Sequence, residues 1–144
     1  MNPTFVEQRN PYLGAAPRAW LRLRFLDPNN APVELTLIAD TGCPYAVIID
    51  VFALSQLTRL SAHPVNSNFG PMTSGWARLS MPAFGIDRDV LCHGSPTIGT
   101  AVAIDDPSFM GLVGLPILRL GEYGGNATDF WFRYPPTSTP TSQP

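Results

Sequence analysis

The residues of this sequence best suited to chemistry are the triplet Asp40-Thr41-Gly42. It lies between two apolar, β-rich runs, LTLIA before it and YAVII after it. A carboxylate is thus placed in a loop between strands that should be buried, which is costly unless the charge has a use. Such a carboxylate can act as a general base or acid on a bound substrate. Because Asp, Thr and Gly also favour turns for local reasons, the triplet alone is weak evidence for a site.

The composition excludes several other chemistries. The chain has nine basic residues and a net charge of -2, and all nine are arginines, so neither a P-loop nor a Schiff base is available. The arginines are scattered along the chain, which argues against a nucleic-acid partner. No apolar run approaches the roughly 20 residues that cross a membrane, and the N-terminus lacks the pattern of a secretory signal. We therefore expect no membrane partner and a cytoplasmic location.

The cysteines and histidines do not form a pattern of metal ligands. Cys43 and Cys92 make no CxxC pair and are too few for a disulfide framework, which favours a reducing compartment. Only Cys92 adjoins a histidine, His93, and His63 lies far along the chain from both. We expect both histidines to be surface or loop residues, and we expect no metal and no cofactor.

Alternating residue types predict a hairpin that leads into the triplet. Leu21, Leu23 and Phe25 alternate with Arg22 and Arg24, which is the period of a half-buried strand. The turn sequence DPNNAP follows, and then VELTLIA, a second β-rich run. Beyond the triplet, YAVII is apolar throughout, which favours a strand that is covered on both faces.

Further elements are predicted along the rest of the chain. Asp50 is expected to cap a short helix over 51–60, and residues 65–82 are expected to form a hairpin with a mobile tip. The remaining expectations are short strands over 89–93 and 98–104, a buried strand over 111–114, a helix beginning near Pro116 and a last strand over 128–134.

Many short strands with few helices predict an all-β fold, a small closed β-barrel with one or two short helices. We expect a single domain over 1–134. The Pro/Ser/Thr-rich tail 135–144 has nothing to bury and is expected to be disordered.

The sequence resembles the retropepsins, the single-domain aspartic peptidases of the retroviral-protease type, and their bacterial relatives. Their hallmark is an apolar strand, Asp-Thr/Ser-Gly and another apolar strand, which is here LTLIADTGCPYAVII. A second feature, two apolar residues and a glycine before a short helix, is similar to Leu112, Val113 and Gly114 followed by LPILRL. A third is the Asp-Phe pair in TDFWFRY. The resemblance covers about Arg18 to Tyr134.

The resemblance implies a site that two chains share. Asp40 would be catalytic, Thr41 would donate a hydrogen bond across a twofold axis, and Gly42 would allow close backbone approach. Since this chain has one such triplet, the second carboxylate would come from a homodimer partner. Two close carboxylates cannot both ionise easily, so the pair would share one proton.

The resemblance also implies a flap over the site. The flap would lie within Phe69 to Trp76, with Gly70, Gly75 and Trp76 as substrate-binding residues that hold an extended peptide as an added strand. Trp76 and Met72 are nevertheless more often core or rim residues in a β protein.

The sequence departs from the family beside the triplet and in the helix after Gly114. Cys43 stands where relatives carry alanine or serine, and an exposed thiol there would allow redox control. Pro44 removes a backbone donor. Leu115 and Pro116 replace charged or polar residues that make ion pairs between subunits in relatives, so those ion pairs are missing here.

We therefore predict an aspartic endopeptidase, a homodimer that hydrolyses peptide or protein substrates without metal. One alternative is a catalytically silent peptide-binding or dimerisation module of the same fold. Another is an unrelated small β-barrel that binds an apolar ligand inside, with Asp40 as a turn residue. Asp105 and Asp106, before Pro107, could form a second acidic centre, but an ordinary turn is the favoured interpretation.

Overall fold

The computed structural model describes residues 5–134, so the predicted disordered tail 135–144 lies outside the described residues. Among the described residues, no helix is long and apolar enough to cross a membrane. The strands are β1 Val6–Pro11, β2 Trp20–Leu26, β3 Pro32–Ala39, β4 Val47–Asp50, β5 Leu60–Ser67, β6 Gly70–Met81, β7 Ile86–Ser95, β8 Gly111–Val113, β9 Glu122–Gly125 and β10 Asp129–Tyr134. The helices are α1 Val51–Leu57, α2 Ile98–Ala103, α3 Leu115–Leu118 and a 3-10 turn over Pro82–Phe84.

Six strands close into a barrel. Their order is β2-β3-β8-β4-β7-β6, and a pairing of β2 with β6 closes the ring, while β5 extends from β6 as an edge strand. The remaining strands form a separate sheet in the order β1-β10-β9. The predicted all-β class and the closed barrel are thus confirmed, with three short α-helices rather than one or two.

The barrel interior is filled by apolar side chains. In β2 the predicted alternation holds, since Leu21, Leu23 and Phe25 are at most 1% exposed, and β2 pairs with β3 over its whole length. The alternative of a barrel that binds an apolar ligand inside is therefore without support. The buried apolar side chains form one cluster that occupies the space such a ligand would need. The other barrel-strand residues of this buried cluster include Leu35, Leu37, Val47, Ile49, Ala77, Leu79, Cys92 and Val113.

Strand β8 fixes the two strands that flank the triplet. It lies between β3, with which it runs parallel, and β4, with which it runs antiparallel. At Gly111 the chains approach so closely that a Cβ would lie 2.0 Å from the carbonyl oxygen of Ile48. Glycine is therefore required there, and the ends of β3 and β4 are held on either side of one short strand.

The predicted strand over 98–104 is wrong, because the segment forms helix α2. Ile98 and Val102, four residues apart, are 3% and 5% exposed, so they bury one side of a helix. The hydroxyl oxygen of Ser95 accepts hydrogen bonds from the backbone N–H groups of Thr97 and Ile98, each at 3.2 Å. A strand here would also lack a partner in the barrel, since β4 already pairs on both edges.

Helix α1 is shorter than predicted. Asp50 caps it as expected, with its carboxylate accepting from the backbone N–H groups of Phe52 and Ala53. The helix ends at Leu57, and Leu60 is the first residue of β5. Pro64 lies in this edge strand at a register shift between Ala62 and Val65, where a missing N–H donor is tolerated.

Candidate active site

Asp40 directly follows β3 and begins a tight loop. Its backbone N–H donates to the carbonyl of Val113 at 2.9 Å, and its carbonyl accepts from the N–H of Cys43 at 3.1 Å. One carboxylate oxygen, Oδ1, accepts from the N–H of Gly42 at 2.9 Å. The other oxygen, Oδ2, accepts no hydrogen bond from any described residue. The side chain is thus held in place with one oxygen available to a ligand.

The loop rests on the start of helix α3. The N–H of Gly114 donates to the carbonyl of Ala46 at 2.9 Å, and the N–H of Leu115 donates to that of Cys43 at 3.0 Å. A Cβ on Gly114 would lie 2.0 Å from the carbonyl oxygen of Tyr45. Gly114 therefore packs directly against the backbone of the loop, where a side chain would not fit.

Thr41 and Gly42 are exposed at the turn of the loop. The hydroxyl of Thr41 makes no hydrogen bond to a described residue, so it is free to bind a group outside this chain. The family-derived assignment of Thr41 to a contact across a twofold axis stays a prediction.

The tip of the β5–β6 hairpin lies near Asp40, since Phe69 of the tip lines two cavities together with Asp40. Asn68 and Phe69 form the turn, and the N–H of Phe69 donates to the hydroxyl oxygen of Ser67 at 3.0 Å. Gly70 has a φ of 82°, a left-handed conformation that suits glycine. Phe69 is 39% exposed, so a large aromatic ring remains partly free at the tip.

Two cavities meet at Asp40 and Phe69. The larger, of about 470 Å³, extends towards α2 and is lined by Arg18, Ile38, Asp105 and Leu112 among others. The second, of about 400 Å³, is lined by Pro44, Tyr45, Asn66, Ser67 and Asn68. An extended chain that passes between Asp40 and the hairpin tip would have a cavity on either side.

The predicted flap residues are only partly brought to this site. Gly70 lies at the tip, but Gly75 pairs with Ser61 within the hairpin, and Trp76 pairs with Leu60. Trp76 lines cavities that do not include Asp40. The turn is formed by Asn68 and Phe69, so Gly75 and Trp76 lie in the paired part of the hairpin. Their assignment as substrate-binding residues stays a prediction.

Phe69, Arg18 and Asp105 also line the cavities beside Asp40, although none of the three was predicted as a site residue. Asp106 accepts from the N–H and hydroxyl of Ser108, which confirms the turn interpretation for that residue. Asp105 instead forms an ion pair with Arg18, which lies 87 residues earlier. No local pattern could have joined two residues so far apart in the chain. Met72, 1% exposed, is a core residue, as the favoured interpretation had it.

Cys43 does not meet the condition for redox control. It is 3% exposed, and its thiol contacts the carbonyl of Tyr45 at 3.5 Å. Burial raises the pKa of the Cys43 thiol, which lowers its thiolate fraction and hence its reactivity. The side chain acts as a small apolar group beneath the loop.

His93 is not the surface or loop residue that was expected. It lies in β7, is 4% exposed and has its ring centroid 4.6 Å from that of Tyr45. Its Nδ1 has no hydrogen-bond partner among the described residues. His63, by contrast, is exposed in the edge strand β5. Within residues 5–134 no group of three potential metal ligands is assembled.

The free energy of unfolding is expected to fall as the pH is lowered from about 7 to about 5. Burial lowers the pKa of His93 below its ordinary 6.5, so the unfolded chain binds the proton more readily and stability is lost as pH falls. Urea unfolding at several pH values measures this slope. His93→Gln should flatten it and His63→Gln should not; equal slopes in both variants would contradict the assignment.

The fold is similar to that of a known peptidase. A crystal structure of a retropepsin-like aspartic protease from Rickettsia conorii matches with a TM-score of 0.53 and 10% sequence identity. The match covers 93% of this chain and 95% of that chain. No protein-family model matches the sequence, and no curated protein does. The chain therefore has the retropepsin-like fold that its motifs predicted.

Proposed function

We propose that this protein is an aspartic endopeptidase whose active site is completed by a second copy of the chain. The observation that carries the proposal is the position of Asp40, which lines both cavities under the tip of the β5–β6 hairpin. An extended peptide would lie across Asp40 and below the tip, and the hairpin backbone would bind it as an added strand.

The chemistry requires two carboxylates. One must accept a proton from water as the water attacks the peptide carbonyl, and the other must donate a proton to the carbonyl oxygen. The chain supplies Asp40 once, so the partner's Asp40 is the proposed second group, with one proton shared between them. The exposure of Thr41 and Gly42 supports this arrangement, because a partner could approach the loop without displacing packed residues.

A catalytically silent peptide-binding module of the same fold is the second candidate. The observation in its favour is the start of α3, where the apolar Leu115 and Pro116 offer none of the side-chain charges that link subunits in relatives. A chain that stays monomeric would retain the cavities beside Asp40 but not the second carboxylate.

The rate of peptide cleavage is expected to rise faster than linearly with chain concentration. Where monomers predominate, a twofold dilution should lower the rate about fourfold, because the dimer concentration follows the square of the monomer concentration. A diverse peptide library between pH 3 and 7, with sedimentation at the same concentrations, provides the measurement. No cleavage at concentrations where sedimentation shows a dimer would favour the silent module.

A further inference from the structure

The larger cavity beside Asp40 has an ion pair in its wall that the proposed reaction does not use. Nε of Arg18 lies 2.8 Å from Oδ2 of Asp105, and the two side chains are 48% and 18% exposed. Both residues line the same cavity as Asp40. A substrate side chain that enters this cavity therefore meets the pair.

Apart from Asp40 and the ion pair, the residues that line this cavity have apolar side chains. Two β-strand residues and three residues of α2 contribute to it, and none of these five carries a charge. They are Ile38, Leu112, Ile98, Ala101 and Val102. A charged substrate side chain would leave water on entering such a space, which is costly unless an opposite charge is available.

The pair is held by the backbone on both sides. The backbone carbonyl of Asp105 accepts from the N–H of Ala15 at 3.0 Å, and the backbone N–H of Asp105 donates to the carbonyl of Val102 at 3.2 Å. Arg18 exchanges backbone hydrogen bonds with Leu13 at 2.9 and 3.1 Å. Gly14, with a φ of 107°, brings this loop so close that a Cβ would lie 3.2 Å from the carbonyl oxygen of Asp105.

We propose that the Arg18–Asp105 pair sets the substrate specificity of this cavity, which takes an apolar side chain because the two charges neutralise each other. The inference rests on the proposed function and deepens it. Each residue, without the other, would leave one uncompensated charge in the wall. The cavity would then accept a substrate side chain of the opposite sign.

The two single variants should change the specificity in opposite directions. Arg18→Met leaves the carboxylate of Asp105 unpaired and should favour a lysine side chain over leucine, relative to the wild type. Asp105→Asn leaves the guanidinium of Arg18 unpaired and should favour glutamate. Since Asp105 is the less exposed of the two, its charge is less screened, and the change in Arg18→Met should be the larger.

The test uses peptides that differ only in leucine, lysine or glutamate at the position where the wild type discriminates most. The wild type should prefer leucine by about tenfold or more in kcat/KM. Arg18→Met should raise the lysine-to-leucine ratio about tenfold, Asp105→Asn should raise the glutamate-to-leucine ratio several-fold, and the double variant should again prefer leucine. Unchanged ratios in both single variants would overturn the proposal.

A matched control uses a second arginine–aspartate pair. Arg78 lies 2.8 Å from Asp87 through its Nε, and neither residue lines a cavity with Asp40. Arg78→Met should leave both the lysine-to-leucine and the glutamate-to-leucine ratio unchanged. Arg18→Lys keeps the charge and should keep the preference for leucine, which covers the case in which Arg18→Met does not fold.

Binding separates this proposal from the proposed peptidase function. The same peptides, carrying a fluorescent label, are titrated with Asp40→Asn chains that bear each wall variant, and anisotropy reports affinity. Shifted binding preferences without wild-type cleavage would refute the peptidase and support the specificity assignment. Cleavage by the wild type, with binding preferences that do not change in the wall variants, would support the peptidase and refute the specificity assignment. Chains that neither bind nor cleave any peptide would overturn both.

Discussion

Replacing Asp40 with asparagine is expected to lower kcat/KM for peptide cleavage by about 1,000-fold or more. Asparagine has the same shape but cannot accept or donate the proton that the proposed reaction transfers, and loss of such a group commonly costs 10²- to 10⁴-fold, roughly. Both carboxylates of the proposed dimer would be lost together. Steady-state kinetics on the best peptide of the library measures the effect.

The same variant should fold normally. The amide oxygen of asparagine can still accept from the N–H of Gly42, which donates to Oδ1 at 2.9 Å in the native loop, so the free energy of unfolding should change by less than about 1 kcal/mol. Asp106→Asn is the control. Asp106 accepts hydrogen bonds from Ser108 in a turn, so its replacement should leave the cleavage rate unchanged. Activity retained by Asp40→Asn would refute the assignment of the catalytic residue.

Replacing Gly114 with alanine is expected to destabilise the fold by about 3 kcal/mol or more. The added Cβ would lie 2.0 Å from the carbonyl oxygen of Tyr45 and 2.6 Å from that of Cys43. Both contacts are with backbone, so a side-chain rotation cannot relieve them. The loop must move away, which breaks the hydrogen bonds between α3 and the triplet's loop. Urea denaturation measures the loss.

Gly99→Ala is the control, and it is expected to stabilise the fold rather than destabilise it. Gly99 lies in α2, and a Cβ there would meet its nearest atom, Cβ of Asp50, at 3.7 Å, which is ordinary contact. Gly99→Ala should therefore raise the free energy of unfolding by about 0.5 to 1 kcal/mol, because alanine favours helix over glycine. If Gly99→Ala and Gly114→Ala changed the free energy of unfolding by the same small amount, the close backbone approach at Gly114 would not explain why a glycine is needed there.

The parts of the fold that sequence could predict are those with a local pattern. The alternation at Leu21, Leu23 and Phe25 specifies a half-buried strand, and the burial of all three confirms it. Asp50 precedes an apolar run and caps α1. The position of Asp40 between two strands could be predicted because the runs before and after it, LTLIA and YAVII, are both apolar and β-rich.

The parts that sequence could not predict depend on distant contacts. Residues 98–104 alternate β-branched and small side chains as a strand would, but the chain forms a helix there, and the hydroxyl of Ser95 accepts from the backbone N–H groups of Thr97 and Ile98. Strand β4 has no free edge to receive another strand. The burial of His93 depends on Tyr45, 48 positions earlier in the sequence. The hairpin turn at Asn68 and Phe69 was missed because Gly70, Pro71 and Gly75 nearby favour turns equally well.

The most direct test of the shared active site is to add the Asp40→Asn variant to a fixed amount of the wild-type chain. At concentrations where sedimentation shows dimers, and after time for subunit exchange, mixed dimers would hold one Asp40 and be inactive. A shared active site predicts that the cleavage rate falls to about one half with an equal amount of variant and to about one tenth with a ninefold excess. A rate that is unchanged at ninefold excess would mean that each chain carries a complete site, which would refute the shared active site.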